Sequence, residues 1–280
     1  MDKLVTLLVP TDFSAAAKAA ARYAASMAAI VNARVILLSV VEMDTEEAVL
    51  HNWKTLENQL KRSSLRGLDK LMKEIQAAAS KPIEITTDLM VGIPMEDVIL
   101  QYAKEKKVDL IVMGTKGAKG LKKILSGSKT AHLIEHSSVP ILAIPVKATF
   151  TQLKKMVYAS DLKNVQGETR SLSRIAAYFG AEIMVLHIAP ANSASRVDRS
   201  LEPALIEKSQ YGAISFHQLQ SDDVAKAIEN FIGENKADIL VMYTHELDFL
   251  ERVMDMSVTR KMAFHTKVPL LVFNRSTAQG

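Results

Sequence analysis

The sequence predicts an α/β protein of two tandem units, each a mainly parallel sheet with helices on both faces. Three observations carry this expectation. Continuous apolar runs such as "RVILLSVV" (34–41) and "VDLIVMG" (108–114) read as strands buried on both faces. Helical patterns alternate with those runs, as crossover connections between parallel strands require. The plan also occurs twice, once in each half of the chain.

The first half runs as follows. "LVTLLVP" (4–10) is an apolar, β-rich strand, and Asp12 or Ser14 can cap the alanine-rich helix after it. "RVILLSVV" is the second strand, followed by a long charged helical stretch from about Thr45 to Ala79. "IEITTDLMVG" (83–92) is a third strand, alternating at its start. "MEDVILQYAKEKK" (95–107) has helical spacing in Val98, Leu100 and Tyr102, with basic residues at its C-terminal end. "VDLIVMG" and "VPILAIPV" (139–146) are buried strands on either side of a glycine- and lysine-rich loop.

The second half repeats the first. "KKMVYASDL" (154–162) matches the opening, with Asp161 in the place of Asp12 at an offset of 149 residues. "AEIMVLHIAP" matches "ARVILLSVVE", "ADILVMY" matches "VDLIVMG", and "KVPLLVF" matches "SVPILAI". The last two pairs share an offset of 129, so about twenty residues are missing in between, most simply from the long helical stretch. The join falls near Val146 to Gln152, giving units 1–148 and 153–280.

Composition narrows the function. With 48% hydrophobic and 24% charged residues the chain can bury a core, which sets aside a disordered or fibrous protein. A net charge of +4 without interleaved aromatics is too small to argue for nucleic acid. No cysteine is present, which removes disulfides, thiolate nucleophiles and Cys-based zinc sites. His187, His217, His245 and His265 have no ligand-like i, i+4 partner, and no G-x-S-x-G elbow marks a nucleophile. The opening apolar run is too short for a signal peptide and no run approaches a membrane span, so the expected location is the cytoplasm.

The chemistry concentrates in "MGTKGAKGLKKILSGSKTAHLI" (113–134), at the C-terminal end of the predicted fourth strand, where open α/β sheets bind ligands. Glycine admits positive φ and close approach to the backbone, and amides at a helix start favour an anion. Ser128 can add a hydroxyl, and Lys116, Lys119, Lys122, Lys123 and Lys129 supply positive charge. These features describe a phosphate cradle, although neither G-x-x-x-x-G-K-[ST] nor G-x-G-x-x-G is present. The spacing is Gly114-x2-Gly117-x9-Gly127-Ser128.

That spacing, with "VPTDFS" closing the first strand, Met113-Gly114-Thr115 and "SSVPILAIP", resembles the ATP-binding branch of the universal stress protein family. The resemblance spans nearly the whole chain as a tandem pair. It implies a five-stranded parallel sheet per unit, Rossmann-like and of the adenine nucleotide alpha hydrolase-like type. It implies ATP, with or without Mg2+, as ligand. Asp12, with Pro10 and Thr11 beside it, would contact the nucleoside, and Val40 would pack on adenine. Met113 and Gly114 would lie by the ribose and phosphates, and Gly117, Gly127, Ser128, Lys129 and Thr130 would hold the phosphates. It also implies a homodimer, or an internal pseudo-dimer, through the last strands, and at most slow ATP hydrolysis or self-phosphorylation.

In the second copy Tyr243 stands for Gly114, Glu246 for Gly117 and Met256 for Gly127, while Ser257 keeps the place of Ser128. Bulk and negative charge where phosphates would sit predict a unit that does not bind ATP in this way, and Asp161 is then expected to cap a helix. The expected role is a stress-response sensor or signalling module. Two rivals remain: an interaction module whose loop binds a partner's anionic group, and an adenylate-transferring enzyme, whose SGGxDS- or HIGH-type signatures are absent.

Overall fold

The computed structural model describes residues 5–43, 53–115, 133, 136–150, 152–192, 200–244 and 268–274. Two compact units divide the chain, Met1–Phe150 and Thr151–Gly280. In the first, β1 (Thr6–Pro10), α1 (Ala15–Val31), β2 (Arg34–Val41), α2 (Trp53–Ala78), β3 (Glu84–Val91), α3 (Met95–Glu105), β4 (Leu110–Thr115) and β5 (Ile141–Pro145) follow in order. Its strands pair in the order β3-β2-β1-β4-β5, every pairing parallel. The second unit has β6 (Lys155–Ala159), α4 (Val165–Phe179), β7 (Glu182–Ala189), α5 (Leu201–Ser209), β8 (Ile214–Gln220), α6 (Val224–Asn235), β9 (Ile239–Thr244) and β10 (Leu270–Asn274). Its order, β8-β7-β6-β9-β10, is that of the first unit, again all parallel.

The apolar runs become central strands because both of their faces are covered. Leu7, Leu8, Val9, Val35, Leu37, Ile111 and Val112 are buried in the first unit, and Val157, Tyr158, Ile183 and Val185 in the second. The alternating third strand takes the outer place, and β3 is only partly covered along its length. α1 buries eleven residues, nine of them alanine, and side chains this short let its backbone approach the sheet closely. The covered face of α3 is Glu96, Ile99, Tyr102 and Ala103. The sequence had suggested Val98, Leu100 and Tyr102, but true 3.6-residue spacing turns Val98 and Leu100 partly outward. The shortening of the second copy falls after its second strand, where α5 has 9 residues against 26 in α2.

The repeat extends to small structural devices. α1 ends on Asn32 (φ 52) and α4 on Gly180 (φ 63), both left-handed caps. In each unit an aspartate at the start of the fourth strand ties down the start of the first. Asp109 Oδ2 accepts from Thr6 N–H at 2.9 Å, and Asp238 Oδ2 accepts from the N–H groups of Lys154 and Lys155 at 2.7 and 2.9 Å. Hydrogen bonds to a charged acceptor are worth about 1.5–3 kcal/mol. Asp238→Ala should therefore destabilise the second unit by about 2 kcal/mol, read as faster hydrogen exchange in β6 and β9 with little change in the first unit.

Candidate functional site

The strand order fixes where a ligand can sit. Connections leave β1 towards β2 on one side, while β4 lies on the other, so the crevice at the C-terminal ends of β1 and β4 is a topological switch point. Pro10 ends β1 opposite Leu38 of β2, and Val40 is two residues further along β2, half-buried opposite Met90. Carrying the pairing of Leu7 with Leu110 forward brings Pro10 level with Met113. Met113 and Gly114 are half-buried and pair with Ala143 and Ile144. Pro10, Thr11, Asp12, Val40, Met113 and Gly114 thus share one edge of the sheet. Gly117, Gly127, Ser128, Lys129 and Thr130 lie outside the described residues.

The turn from β1 into α1 is closely specified. Thr11 is buried, and its N–H continues the ladder to the Leu38 carbonyl at 2.8 Å. Its hydroxyl accepts from Phe13 N–H at 3.1 Å, and Asp12 Oδ1 accepts from Ser14 N–H at 3.0 Å. Ser14 is the residue that caps α1, its hydroxyl accepting from Ala17 N–H at 3.3 Å. Asp12 is not a helix cap. It is an exposed carboxylate held in an Asx turn two residues before the N-cap of α1, where the positive end of the helix dipole favours an anion. Between Asp12 and Ser14, Phe13 takes φ 61, a left-handed conformation that bulky residues seldom adopt.

Gly114 has a reason that the sequence did not reveal. A Cβ built on it would lie 2.1 Å from the Ala16 carbonyl oxygen, 2.2 Å from its carbon and 2.9 Å from Ala17 N. These are backbone atoms of the first turn of α1 and cannot swing aside. The glycine lets α1 rest directly on β4, and so places the helix start and the Asp12 turn over the crevice.

Known proteins share this architecture and sequence. The Universal stress protein family profile matches residues 5–145 and again 154–274. The chain belongs to the universal stress protein family. Universal stress protein MJ0531 of Methanocaldococcus jannaschii is 31% identical over 140 residues, covering 49% of this chain and 80% of that protein. Universal stress protein MJ0577 of the same organism is 29% identical over 157 residues, covering 50% of this chain and 94% of that one. A crystal structure of a universal stress protein from Archaeoglobus fulgidus shares the fold over 96% of this chain and 98% of its own, with a TM-score of 0.77 at 18% identity.

In the second unit of this universal stress protein the turn is preserved and the crevice is not. Ser160 N–H donates to the Leu186 carbonyl at 2.9 Å, and Ser160 Oγ accepts from Leu162 N–H at 3.1 Å. Asp161 Oδ1 accepts from Lys163 N–H at 3.0 Å, and Leu162 has φ 66. These contacts match those of Thr11, Asp12 and Phe13. Asp161 was expected to cap α4, but the N-cap is Asn164, so the aspartate serves its turn instead.

At the place of Gly114, Tyr243 is buried, and burial pushes its phenol well above the ordinary range. Its hydroxyl donates to the Glu168 carbonyl in the first turn of α4 at 3.0 Å. Its ring stacks on Phe273 at 4.7 Å and meets Tyr158 edge-on at 5.4 Å. Tyr158 donates to the Glu168 carboxylate, and Ser160 Oγ donates to the Tyr158 oxygen at 3.0 Å. Where α1 touches β4, the α4 backbone stands off β9 and the Tyr243 phenol fills the interval. The sequence showed that Tyr243 is bulky there, but its tie to Glu168 joins residues 75 apart and carries no local signal.

The histidines serve the fold in this region. His187 Nδ1 is 2.9 Å from the Ser160 carbonyl, and His217 Nε2 is 3.0 Å from Ser215 Oγ. Burial pushes the pKa of His217 down despite the nearby Glu182 and Glu202. His245 and His265 lie outside the described residues.

The two solutions respond differently to substitution. Gly114→Ala forces a Cβ into backbone, and overpacking of that kind costs about 1–3 kcal/mol. It should destabilise the first unit by that amount, read as faster hydrogen exchange in α1 and β4. Tyr243→Phe keeps the rings and loses one hydrogen bond, which predicts a loss of about 1 kcal/mol confined to the second unit in the same measurement.

Proposed function

We propose that the first unit binds ATP at the shared edge of β1, β2 and β4, and that the second unit does not. The observation that carries this reading is the contrast between the units: the same ordered aspartate turn, with Gly114 in one crevice and the Tyr243 phenol in the other. The residues fit an adenine nucleotide. Asp12 offers an exposed carboxylate oxygen to a ribose hydroxyl or a base amine, fixed by its bond to Ser14. Val40 and Met113 are half-buried apolar surfaces suited to the base and the sugar. Gly117, Gly127, Ser128, Lys129 and Thr130 have the spacing and donors for the phosphates, with Mg2+ as a companion ion. Membership of the universal stress protein family supports a stress-response role.

Nothing among the described site residues has the form of a general base or an activated nucleophile. The reading is therefore a cytoplasmic sensor or regulatory module whose state is set by bound nucleotide, with turnover slow at most. It is taken to act as a homodimer, which light scattering on the purified chain would check.

Titration with Mg-ATP by calorimetry should give one site per chain. Asp12→Ala should weaken binding roughly tenfold, the worth of about one charge-assisted hydrogen bond. Gly117→Glu, which copies Glu246, should abolish it with the fold intact. Two sites per chain would mean that the second unit binds despite Tyr243. No binding would favour an interaction module that recognises a partner's anionic group.

A further inference from the structure

Gly67 lies in the interior of α2, where glycine is among the least favoured residues, so its place there calls for a reason. A Cβ at this position would come within 2.7 Å of Phe13 Cζ, 2.8 Å of Cε1 and 3.0 Å of Cε2. The Phe13 ring therefore rests end-on against the bare backbone of α2. Its own backbone is the left-handed step between Asp12 and Ser14, fixed by bonds from Phe13 N–H to Thr11 and from Ser14 N–H to Asp12. An unfavourable conformation persists where its surroundings over-determine it. Here those surroundings include a ring held at its far end by a second helix.

We infer that Gly67 is a positioning residue for the proposed nucleotide site, setting the Asp12 turn through the Phe13 ring. In this way α2 acts on the site without touching a ligand. The chain supplies its own contrast: in the second unit the corresponding turn carries the shorter Leu162 at φ 66, and the helix after the second strand has only nine residues. The inference rests on the ATP reading for its functional meaning, while its structural content can be tested without nucleotide.

The test uses the full chain and the variants Gly67→Ala, Phe13→Ala, and Gly67→Ala combined with Phe13→Leu. In the absence of ligand, amide hydrogen exchange of Phe13 and Ser14 is followed by NMR. Gly67→Ala should speed both at least fivefold. Melting of the first unit should stay level or rise, because alanine favours the helix. Phe13→Ala, which leaves α2 untouched, should speed the same two amides. Adding Phe13→Leu to Gly67→Ala should return them towards wild type, since the shorter side chain clears the new methyl. In parallel, Gly67→Ala should raise the Kd for Mg-ATP three- to tenfold, with recovery in the double variant.

Unchanged exchange of Ser14 in Gly67→Ala or in Phe13→Ala would overturn the inference, as would a loss that Phe13→Leu fails to relieve. If wild type binds no ATP while the exchange pattern responds as expected, the ATP reading fails and the coupling between Gly67 and the turn stands.

Discussion

The contact of the Ala16 carbonyl with the bare Cα of Gly114 governs the site end of the first unit. Packing backbone against backbone sets the height of α1 above the sheet, which only short side chains on both sides permit. The alanine-rich face of α1 extends that closeness along the helix. Because α1 starts where it does, Ser14 can cap it, Asp12 can bond to Ser14, and the carboxylate comes to rest beside the switch point. A longer residue at 114 would lift the start of α1 off β4 and carry the Asp12 turn away from the strand.

The second unit shows what the same scaffold does when that contact is given up. A phenol spans the interval between helix and strand, and its hydroxyl finds an acceptor in the first turn of α4. The buried carboxylate of Glu168 is kept in place by Tyr158, which Ser160 in turn supports. The bonds among these groups offset part of the cost of burying them. The left-handed turn beside them recurs in both units, around Leu162 as around Phe13.

Much of this architecture was legible in the sequence because it rests on local pattern. Apolar runs of strand length marked nine of the ten described strands, all but the polar-rich β8, and the repeated aspartate and proline offsets gave the duplication. The six described candidate site residues, named from the resemblance to the family, lie at strand ends, and the topology carries them to one edge. The remainder was hidden for physical reasons. The covered face of α3 depends on helix rotation, which a short mixed apolar segment fixes poorly. Whether Asp12 or Ser14 caps α1 depends on backbone geometry at Phe13, a residue whose left-handed conformation its type does not announce. Gly114 and Gly67 each answer to a neighbour distant in sequence, so a glycine that looks like ligand space proves also to be packing space.

The Tyr243 phenol also separates the units thermodynamically. A protein that binds a ligand only in its folded state gains stability with the free ligand concentration, as RT ln(1 + [L]/Kd). A crevice occupied by a side chain of its own strand has that concentration fixed by covalent connection. On the function proposed above, the second unit carries its filler at constant activity, and its folding equilibrium does not follow the nucleotide concentration.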